Sequence, residues 1–169
     1  MSRTITDILV PIDFSATSDA ALHYAVTLAR RFRASLHLLH VVDDAFVGGA
    51  FGSEIYIASV PAMQASLIDE AARKLSGVLS KVERASIAAG MEVRVGRPAD
   101  VICEAAEEHA CDLIVMGTHG RTGMAHLLLG SVAEKMVRAA PCPVLTVRGE
   151  VANRIEAPTE FAHELVPTE

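Results

Sequence analysis

The chain has 169 residues, 51% of them hydrophobic, which is enough for one sizeable core in a single compact domain. Aromatic residues make up only 4% and Trp is absent, so a platform that stacks on single-stranded nucleic acid is not expected. The net charge of -6 argues against a general electrostatic grip on nucleic acid or acidic lipid, although a local basic pocket is compatible with it.

The sequence also bears on the location of the protein and on the role of its cysteines. No apolar stretch reaches the roughly 20 residues that a membrane helix needs, and the N-terminus MSRTITDILVPID lacks a signal-peptide core. We therefore expect a cytoplasmic protein with no membrane insertion.

Cys103, Cys111 and Cys142 form no CxxC pair, which fits a reducing compartment. They are expected to be small buried or half-buried side chains, with a redox role as the alternative.

The first part of the chain predicts a strand, a helix and a second strand. The apolar run DILVPI at 7–12 is the first strand, and apolar residues then recur at helical spacing up to Phe32. The polar cluster between them supplies the candidate helix caps Asp13, Ser15, Thr17 and Ser18. SLHLLHVV at 35–42 is the next buried strand. Residues 43–60 carry three glycines and no clean period, which predicts a mobile insertion of the kind that often covers a site.

The second part alternates in the same way. A long amphipathic helix is predicted from Pro61 to about Ala89, with Gly90 as its C-cap. Pro98 suits the first position of a shorter helix that ends near His109. The remaining predicted elements are strands at 91–96, 112–117 and 143–148 and a helix at 131–139. Five strands alternating with four helices predict a parallel, doubly wound α/β sheet, because parallel strands need helical crossovers that cover both faces.

The end of the chain differs in composition from the rest. Residues 149–169 contain Pro158, Pro167 and several acids, and show no sustained apolar period. We expect one domain over residues 1–148, followed by a loosely ordered acidic tail.

The segment GTHGRTGMAHLLLGSVAEKM at 117–136 contains more glycine and hydroxyl residues than a tight turn needs. In an open parallel sheet, ligands bind beyond the carboxyl ends of the strands, and this segment begins at such an end. Gly117 and Gly120 would let the main chain turn sharply and come close to a ligand. Gly130 and Ser131 would open a helix whose N–H groups and positive dipole end favour an anion.

A phosphate chain meets these requirements. Ser131 would add a hydroxyl donor and Arg121 a charge-assisted contact. The spacing matches neither a Walker loop nor a dinucleotide fingerprint. From the residues alone a second interpretation stays open, in which the glycines only close the turn and Ser131 only caps the helix.

The spacing of Gly117, Gly120 and Gly130-Ser131 resembles the G-2x-G-9x-G-[S/T] signature of the nucleotide-binding branch of the universal stress protein family. ILVPIDFSATSDAALHYA, VGRPADVI and HLLLGSVAEKMVRAAPCPVLTVR are also similar to that family, so the likeness covers about residues 4–148. The resemblance implies an adenine nucleotide alpha hydrolase-like sheet with strand order 3-2-1-4-5. It also implies ATP, or another adenine nucleotide, between the ends of strands 1 and 4, and homodimers through the last strand at 143–148.

The resemblance further implies roles for particular residues. Asp13 would contact the nucleoside, with Pro11 beside it, and Val41 would offer its main chain to adenine. Met116 and Gly117 would flank the ribose and phosphates. The residues implied around the phosphate chain are Gly120, Arg121, Gly130, Ser131 and Val132. Phe14 stands where many family members carry glycine.

Asp13 is also a candidate ligand contact on chemical grounds alone. A carboxylate at a strand end can accept hydrogen bonds from ribose hydroxyls or an adenine amine, or help to hold Mg²⁺. Its alternative is a helix cap or turn residue. His119 lies inside the loop, either near a terminal phosphate or simply exposed, whereas His37 and His40 are expected to be packing or edge residues. No His, Cys and Asp set has metal-ligand spacing, so no protein metal site is predicted.

The resulting prediction is an ATP-binding stress-response regulator that changes conformation or partner binding with its nucleotide. One alternative is a slow ATPase in which Mg²⁺ and Arg121 stabilise phosphoryl transfer. It ranks lower because no carboxylate inside the loop is an evident water-activating base, and no catalytic residue is assigned. The other alternative is a nucleotide-free dimeric scaffold.

Overall fold

In the computed structural model the described residues are 4–44, 60–84, 87–119 and 129–148. Their strands are β1 (Asp7–Pro11), β2 (Ser35–Asp43), β3 (Ala89–Gly96), β4 (Leu113–Gly117) and β5 (Val144–Val147). The helices are α1 (Ala16–Phe32), α2 (Val60–Arg84), α3 (Pro98–Glu108) and α4 (Ser131–Ala139). The strands form one parallel sheet in the order β3-β2-β1-β4-β5, which confirms the predicted α/β fold and strand order.

Helices cover both faces of this sheet. Ile8 and Val10 of β1 pack in a core cluster with α1 and α2, while Leu9 packs in the opposite cluster with α3 and α4. All three side chains are fully buried. A strand with two buried faces shows no alternation of polar and apolar residues, which explains the continuous apolar run in the sequence.

The starts of two helices follow the local signals in the sequence. Among the candidate caps, Ser15 is the N-cap of α1, with extended backbone and an Oγ that accepts from Ser18 N at 3.2 Å. Pro98 is the first residue of α3, as predicted, where its missing N–H leaves no helical hydrogen bond unmade.

Two predicted boundaries are wrong. Gly90 is not a helix C-cap, because it lies inside β3 and pairs with His37 of β2. Strand β3 begins at Ala89, two residues before the predicted start, because its pairing with β2 continues that far. Pairing within the sheet thus outweighed the local preference of Gly90 for a helix end. The predicted insertion at 43–60 is shorter at both ends, because Asp43 ends β2 and Val60 begins α2. Residues 45–59 and the tail at 149–169 lie outside the described residues. The mobile insertion and the loosely ordered tail therefore remain predictions.

Burial determines the chemistry of two cysteines. Cys111 is buried and Cys103 half-buried, in agreement with the expected packing role. Burial raises the pKa of the Cys103 thiol and raises the pKa of the Cys111 thiol to about 12. Both thiols are therefore protonated and weakly nucleophilic at neutral pH. In the described part of the chain, no helix combines the length and apolarity that crossing a membrane requires.

The raised pKa of Cys111, about 12, predicts a pH-dependent contribution to stability. The unfolded chain loses this proton near pH 8.5 and the folded chain only near its raised pKa, so the contribution is fully present below about pH 8.5 and is lost as the pH rises towards that value. We expect wild-type protein to lose stability relative to Cys111→Ala by up to about 1.4 kcal/mol per pH unit between about pH 9 and 11. Urea denaturation of both proteins across this range measures the difference, and parallel curves would contradict it.

Candidate binding cleft

A cleft of about 730 Å³ opens at the carboxyl edge of the sheet, beside the ends of β1, β2 and β4 and the start of α4. Its volume lies within the usual range of small-molecule sites. Its position follows from the topology, because the strand order reverses between β1 and β4. The connections that leave these two strands run to opposite faces of the sheet, and a crevice remains between them.

The structure brings most of the predicted site residues to this cleft. Eight of them line it: Pro11, Asp13, Val41, Met116, Gly117, Gly130, Ser131 and Val132. The other two, Gly120 and Arg121, lie outside the described residues. The arrangement meets the geometric requirement for one shared site, and the contact of each residue with a ligand remains a prediction.

Asp13 lies between the end of β1 and the start of α1. Its Oδ1 accepts from Ser15 N at 3.0 Å and from Ser15 Oγ at 2.6 Å. Asp13 is thus a turn residue, and the helix cap is Ser15. Because a carboxylate has about four acceptor sites, this role in the turn is compatible with a contact to a ligand.

Phe14 has a left-handed backbone with φ of 65°. This conformation is costly for a bulky residue and not for glycine, which is the residue that the family resemblance led us to expect here. The ring of Phe14 lines the cleft with its centroid 4.6 Å from that of His40, and it packs against the core under α1 and α2. Burial of the ring offsets the cost of the backbone.

Helix α2 forms one wall of the cleft, which the sequence pattern did not predict. Leu67, Glu70, Ala71 and Lys74 line the cleft from this helix. Lys74 Nζ lies 2.6 Å from Glu70 Oε1 and 5.7 Å from the centroid of the Phe14 ring, within the range of a cation–π contact. In the sequence these two charges look like an ordinary i,i+4 pair on a solvated helix face. Only the crossing of α2 over the strand ends brings them to the cleft.

Two histidines expected to be packing residues have different surroundings. His40 is buried and its Nδ1 lies 2.6 Å from Ile12 O, as the packing interpretation requires, yet it also lines the cleft. His37 is half-buried and pairs through Nε2 with Asp7 Oδ1 at 3.0 Å, at the start of β1. His37 therefore belongs to the opposite end of the sheet.

The two described ends of the glycine-rich segment are joined by a hydrogen bond. Thr118 N donates to Val147 O at 2.9 Å, and Gly130 N donates to Thr118 O at 2.7 Å. Gly130 is the N-cap of α4 and Ser131 its first residue, so the interpretation of Ser131 as the cap is wrong. Glycine offers no side-chain acceptor, so no cap side chain covers the first N–H groups of α4 where they border the cleft.

Gly117 is required by packing against α1. A Cβ at this position would lie 2.9 Å from the backbone carbon and 3.0 Å from the Cβ of Thr17. Backbone atoms cannot move aside as a side chain does, so any larger residue would push α1 away from β4. A contact between helix and strand thus explains this glycine without a ligand.

Charge is distributed unevenly around the cleft. The described lining carries three carboxylates, on Asp13, Asp43 and Glu70, and one ammonium group, on Lys74. These lie on the side of β1, β2 and α2, whereas the positive dipole end of α4 borders the other side. Within residues 4–44, 60–84, 87–119 and 129–148, no three His, Cys, Asp or Glu side chains are grouped to hold a metal ion.

Comparison with known proteins agrees with this architecture. The sequence profile of the Universal stress protein family matches residues 4–148. Universal stress protein MJ0531 of Methanocaldococcus jannaschii is 39% identical over 143 residues, which are 83% of this chain and 81% of that protein. The solved structure of MJ0577 from the same organism aligns with a TM-score of 0.78 at 29% identity, over 86% of this chain and 97% of that one. The chain belongs to the universal stress protein family.

A second solved structure is relevant to the cleft. It is that of a universal stress protein in complex with cAMP, and it aligns with a TM-score of 0.56 at 26% identity. The alignment covers 87% of this chain and 99% of that chain.

The packing of Gly117 predicts the effect of one added methyl group. We expect Gly117→Ala to lower the free energy of unfolding by about 1–3 kcal/mol, because Cβ meets backbone atoms of Thr17 that must shift. Gly90→Ala is the matched control in a strand, since nothing lies within 4 Å of its Cβ position. That change should leave stability unchanged or raise it by up to about 1 kcal/mol, because alanine restricts the unfolded chain. Chemical denaturation of both variants tests this, and equal stabilities would contradict the packing role.

Proposed function

We propose that this chain is an adenine-nucleotide-binding regulatory protein of the stress response, in the ATP-binding branch of its family. The observation that carries the proposal is the cleft itself, which is lined both by Asp13 at the end of β1 and by the start of α4, whose N-cap is Gly130. The glycine signature runs through the same cleft at Gly117 and Gly130. The cAMP complex of a related protein supports an adenine nucleotide as the ligand class.

The uneven charge of the cleft favours a ligand with two unlike ends. A nucleotide has such ends, because its phosphates are anionic while its ribose hydroxyls and adenine amine are hydrogen-bond donors. The phosphates would lie at the start of α4, with Ser131, Val132 and the signature glycines around them. The donors would face the carboxylate of Asp13, with Pro11 and Met116 beside the ribose and the main chain of Val41 at adenine.

Magnesium fits this site as a companion of the nucleotide. Mg²⁺ is usually held by one or two carboxylates together with phosphate oxygens and water, so it needs no all-protein cage. Asp13 would be the contributing carboxylate, and Asp43 and Glu70 line the same cleft. The cation would offset phosphate charge beside these acids.

Regulation would work through a shift in population. A nucleotide changes the surface that a partner meets only to the extent that it binds one conformation of the protein better than another. Slow ATP hydrolysis stays the second candidate, with Asp13 and His119 in the cleft as the groups that could act on water. The scaffold alternative predicts an empty cleft, and a cytoplasmic location remains a prediction.

We also propose that the protein forms a homodimer through β5. This strand lies at the edge of the sheet, next to β4 on one side only. The carbonyls of Pro143 and Val147 accept hydrogen bonds from the backbone of Ile114 and Thr118. Because successive residues of a strand point their N–H and C=O groups to opposite sides, those of Val144 and Thr146 point to the outer edge. A second copy pairing there would cover an edge that otherwise invites aggregation.

The proposed phosphate position predicts the effect of a charge at Ser131. Ser131→Glu places a carboxylate in the first turn of α4, where it favours the helix dipole and opposes phosphate. We expect the Kd for ATP in isothermal titration calorimetry to be at least tenfold higher for Ser131→Glu than for Ser131→Gln, a neutral control of the same size that also lacks the hydroxyl. Adenosine, which has no phosphate, should bind all three proteins alike. Equal ATP affinities for Glu and Gln would contradict the phosphate position.

Nucleotide released from purified, denatured protein and identified by mass spectrometry tests the ligand class directly. An adenine nucleotide is the expected result. Protein that carries none, and that also fails to bind added ATP or cAMP, would favour the scaffold.

The edge strand predicts a variant that separates the dimer. Thr146→Pro removes an outward N–H and leaves the hydrogen bonds to β4 in place, because edge strands tolerate proline on their free side. Light scattering is expected to show a dimer for wild-type protein and a monomer for Thr146→Pro. The control Thr146→Val keeps the N–H and should remain a dimer. A monomeric wild-type protein would refute the proposed interface.

A further inference from the structure

Phe14 borders a second cavity besides the cleft. A pocket of about 330 Å³, which we call the side pocket, lies between α1 and α2, where Leu22 and Val78 line it. Three residues line both the cleft and the side pocket: Ile12, Phe14 and Ser18. The two cavities are therefore neighbours, and these three residues form the partition between them.

Phe14 is the large side chain of this partition that is only half-buried. Ile12 and Ser18 are both buried. Each is also tied to the scaffold, because Ile12 N donates to Leu39 O at 2.8 Å and Ser18 Oγ donates to Ser15 O at 3.0 Å. A ring that only filled the core would have protein atoms all around it, whereas the ring of Phe14 borders two cavities.

The ring is held at this boundary by its backbone and by two neighbours. The φ of 65° is costly for a bulky residue, and such strain is typical of residues that shape a ligand site. The ring centroid lies 4.6 Å from that of His40 and 5.7 Å from Lys74 Nζ. Both neighbours line the cleft, so the position of the ring is linked to the shape of the cleft.

The partition lies beside the proposed position of the base. His40 directly precedes Val41, whose main chain is the proposed contact to adenine, and the ring of Phe14 lies against the ring of His40. On the other side of the partition, Leu22 and Val78 give the side pocket apolar surface. Such surface suits an apolar group attached to a base, because burial of apolar area is favourable.

We propose that Phe14 is a specificity-determining residue, whose ring closes the cleft against the side pocket and thereby excludes nucleotides with a bulky apolar group on the base. The inference deepens the proposed function and rests on it for the identity of the ligand. The partition itself is a property of the unliganded chain. A purely structural role of Phe14 would leave the choice between such ligands unchanged when the ring is removed.

Isothermal titration calorimetry with ATP, N6-benzyl-ATP and 2-benzylthio-ATP tests this role. Wild-type protein is expected to bind both analogues at least about tenfold more weakly than ATP, because the ring blocks the benzyl group. Phe14→Gly removes the ring and suits the left-handed backbone. This variant is expected to bind at least one of the analogues within about threefold of its own Kd for ATP.

Three further variants serve as controls. Phe14→Tyr keeps a ring in the partition and should discriminate as wild-type protein does. Phe14→Asn is also small and tolerates a left-handed backbone, so it replaces Phe14→Gly if that variant does not fold. Adding Val78→Phe to Phe14→Gly refills the side pocket and should restore the rejection of the analogues.

Two results in these titrations would overturn the role of Phe14. One is wild-type protein that binds the analogues as tightly as ATP. The other is a folded Phe14→Gly protein that rejects both analogues as strongly as wild-type protein does.

A crystal structure of Phe14→Gly without nucleotide tests the partition separately from the proposed function. One continuous cavity is expected, in which Leu22 and Val78 line the same space as Val41. Two cavities that stay separate, or a side pocket closed by movement of α1 towards α2, would overturn the inference. If wild-type protein binds neither ATP nor cAMP, the proposed function fails, and this structure alone decides whether Phe14 separates the two cavities.

Discussion

The pairing of β1 with β4 is the contact on which the rest of the molecule depends. Ile8 pairs with Leu113 and Leu9 with Ile114, although the two strands are far apart in the chain. Because the order of strands reverses at this pair, the connection after β1 continues into α1 on one face and the connection after β4 leads to α4 on the other. Without the pair there would be two half-sheets and no crevice between them.

Close contacts at this reversal set the geometry of the cleft. Gly117 lets the first turn of α1 approach β4, and the hydrogen bond from Gly130 N to Thr118 O closes the glycine-rich segment at its base. Phe14 accepts an unfavourable left-handed backbone at the same place and recovers the cost by burying its ring. Local strain of this kind persists only where the surrounding fold over-determines it, which is typical of binding sites.

The charged groups of the cleft lie on two different sides. Carboxylates on one side and a helix start on the other can orient a nucleotide by its two ends. His119 also lines the cleft, where its Nδ1 lies 3.0 Å from Thr118 Oγ1.

Several parts of this protein could be predicted from the sequence, because they rest on local chemistry. The strands of the central sheet are buried on both faces, so they appear as continuous apolar runs such as DILVPI. Pro98 marks a helix start by its fixed φ. The glycine signature and the segments similar to the family are likewise read directly from the sequence. These signals lie within a few residues of each other, so no knowledge of the tertiary fold is needed.

Other features were decided only by tertiary structure. Gly90 has the composition of a helix end, yet pairing with β2 makes it part of a strand. Glu70 and Lys74 reach the cleft because of where α2 crosses the sheet, and Gly117 meets Thr17 because α1 packs on β4. The sequence by itself determined the alternation of strands and helices, the family and eight of the residues that line the cleft. Which distant residues meet there was decided by the packing of helices on the sheet, because such contacts join segments whose spacing in the chain carries no signal.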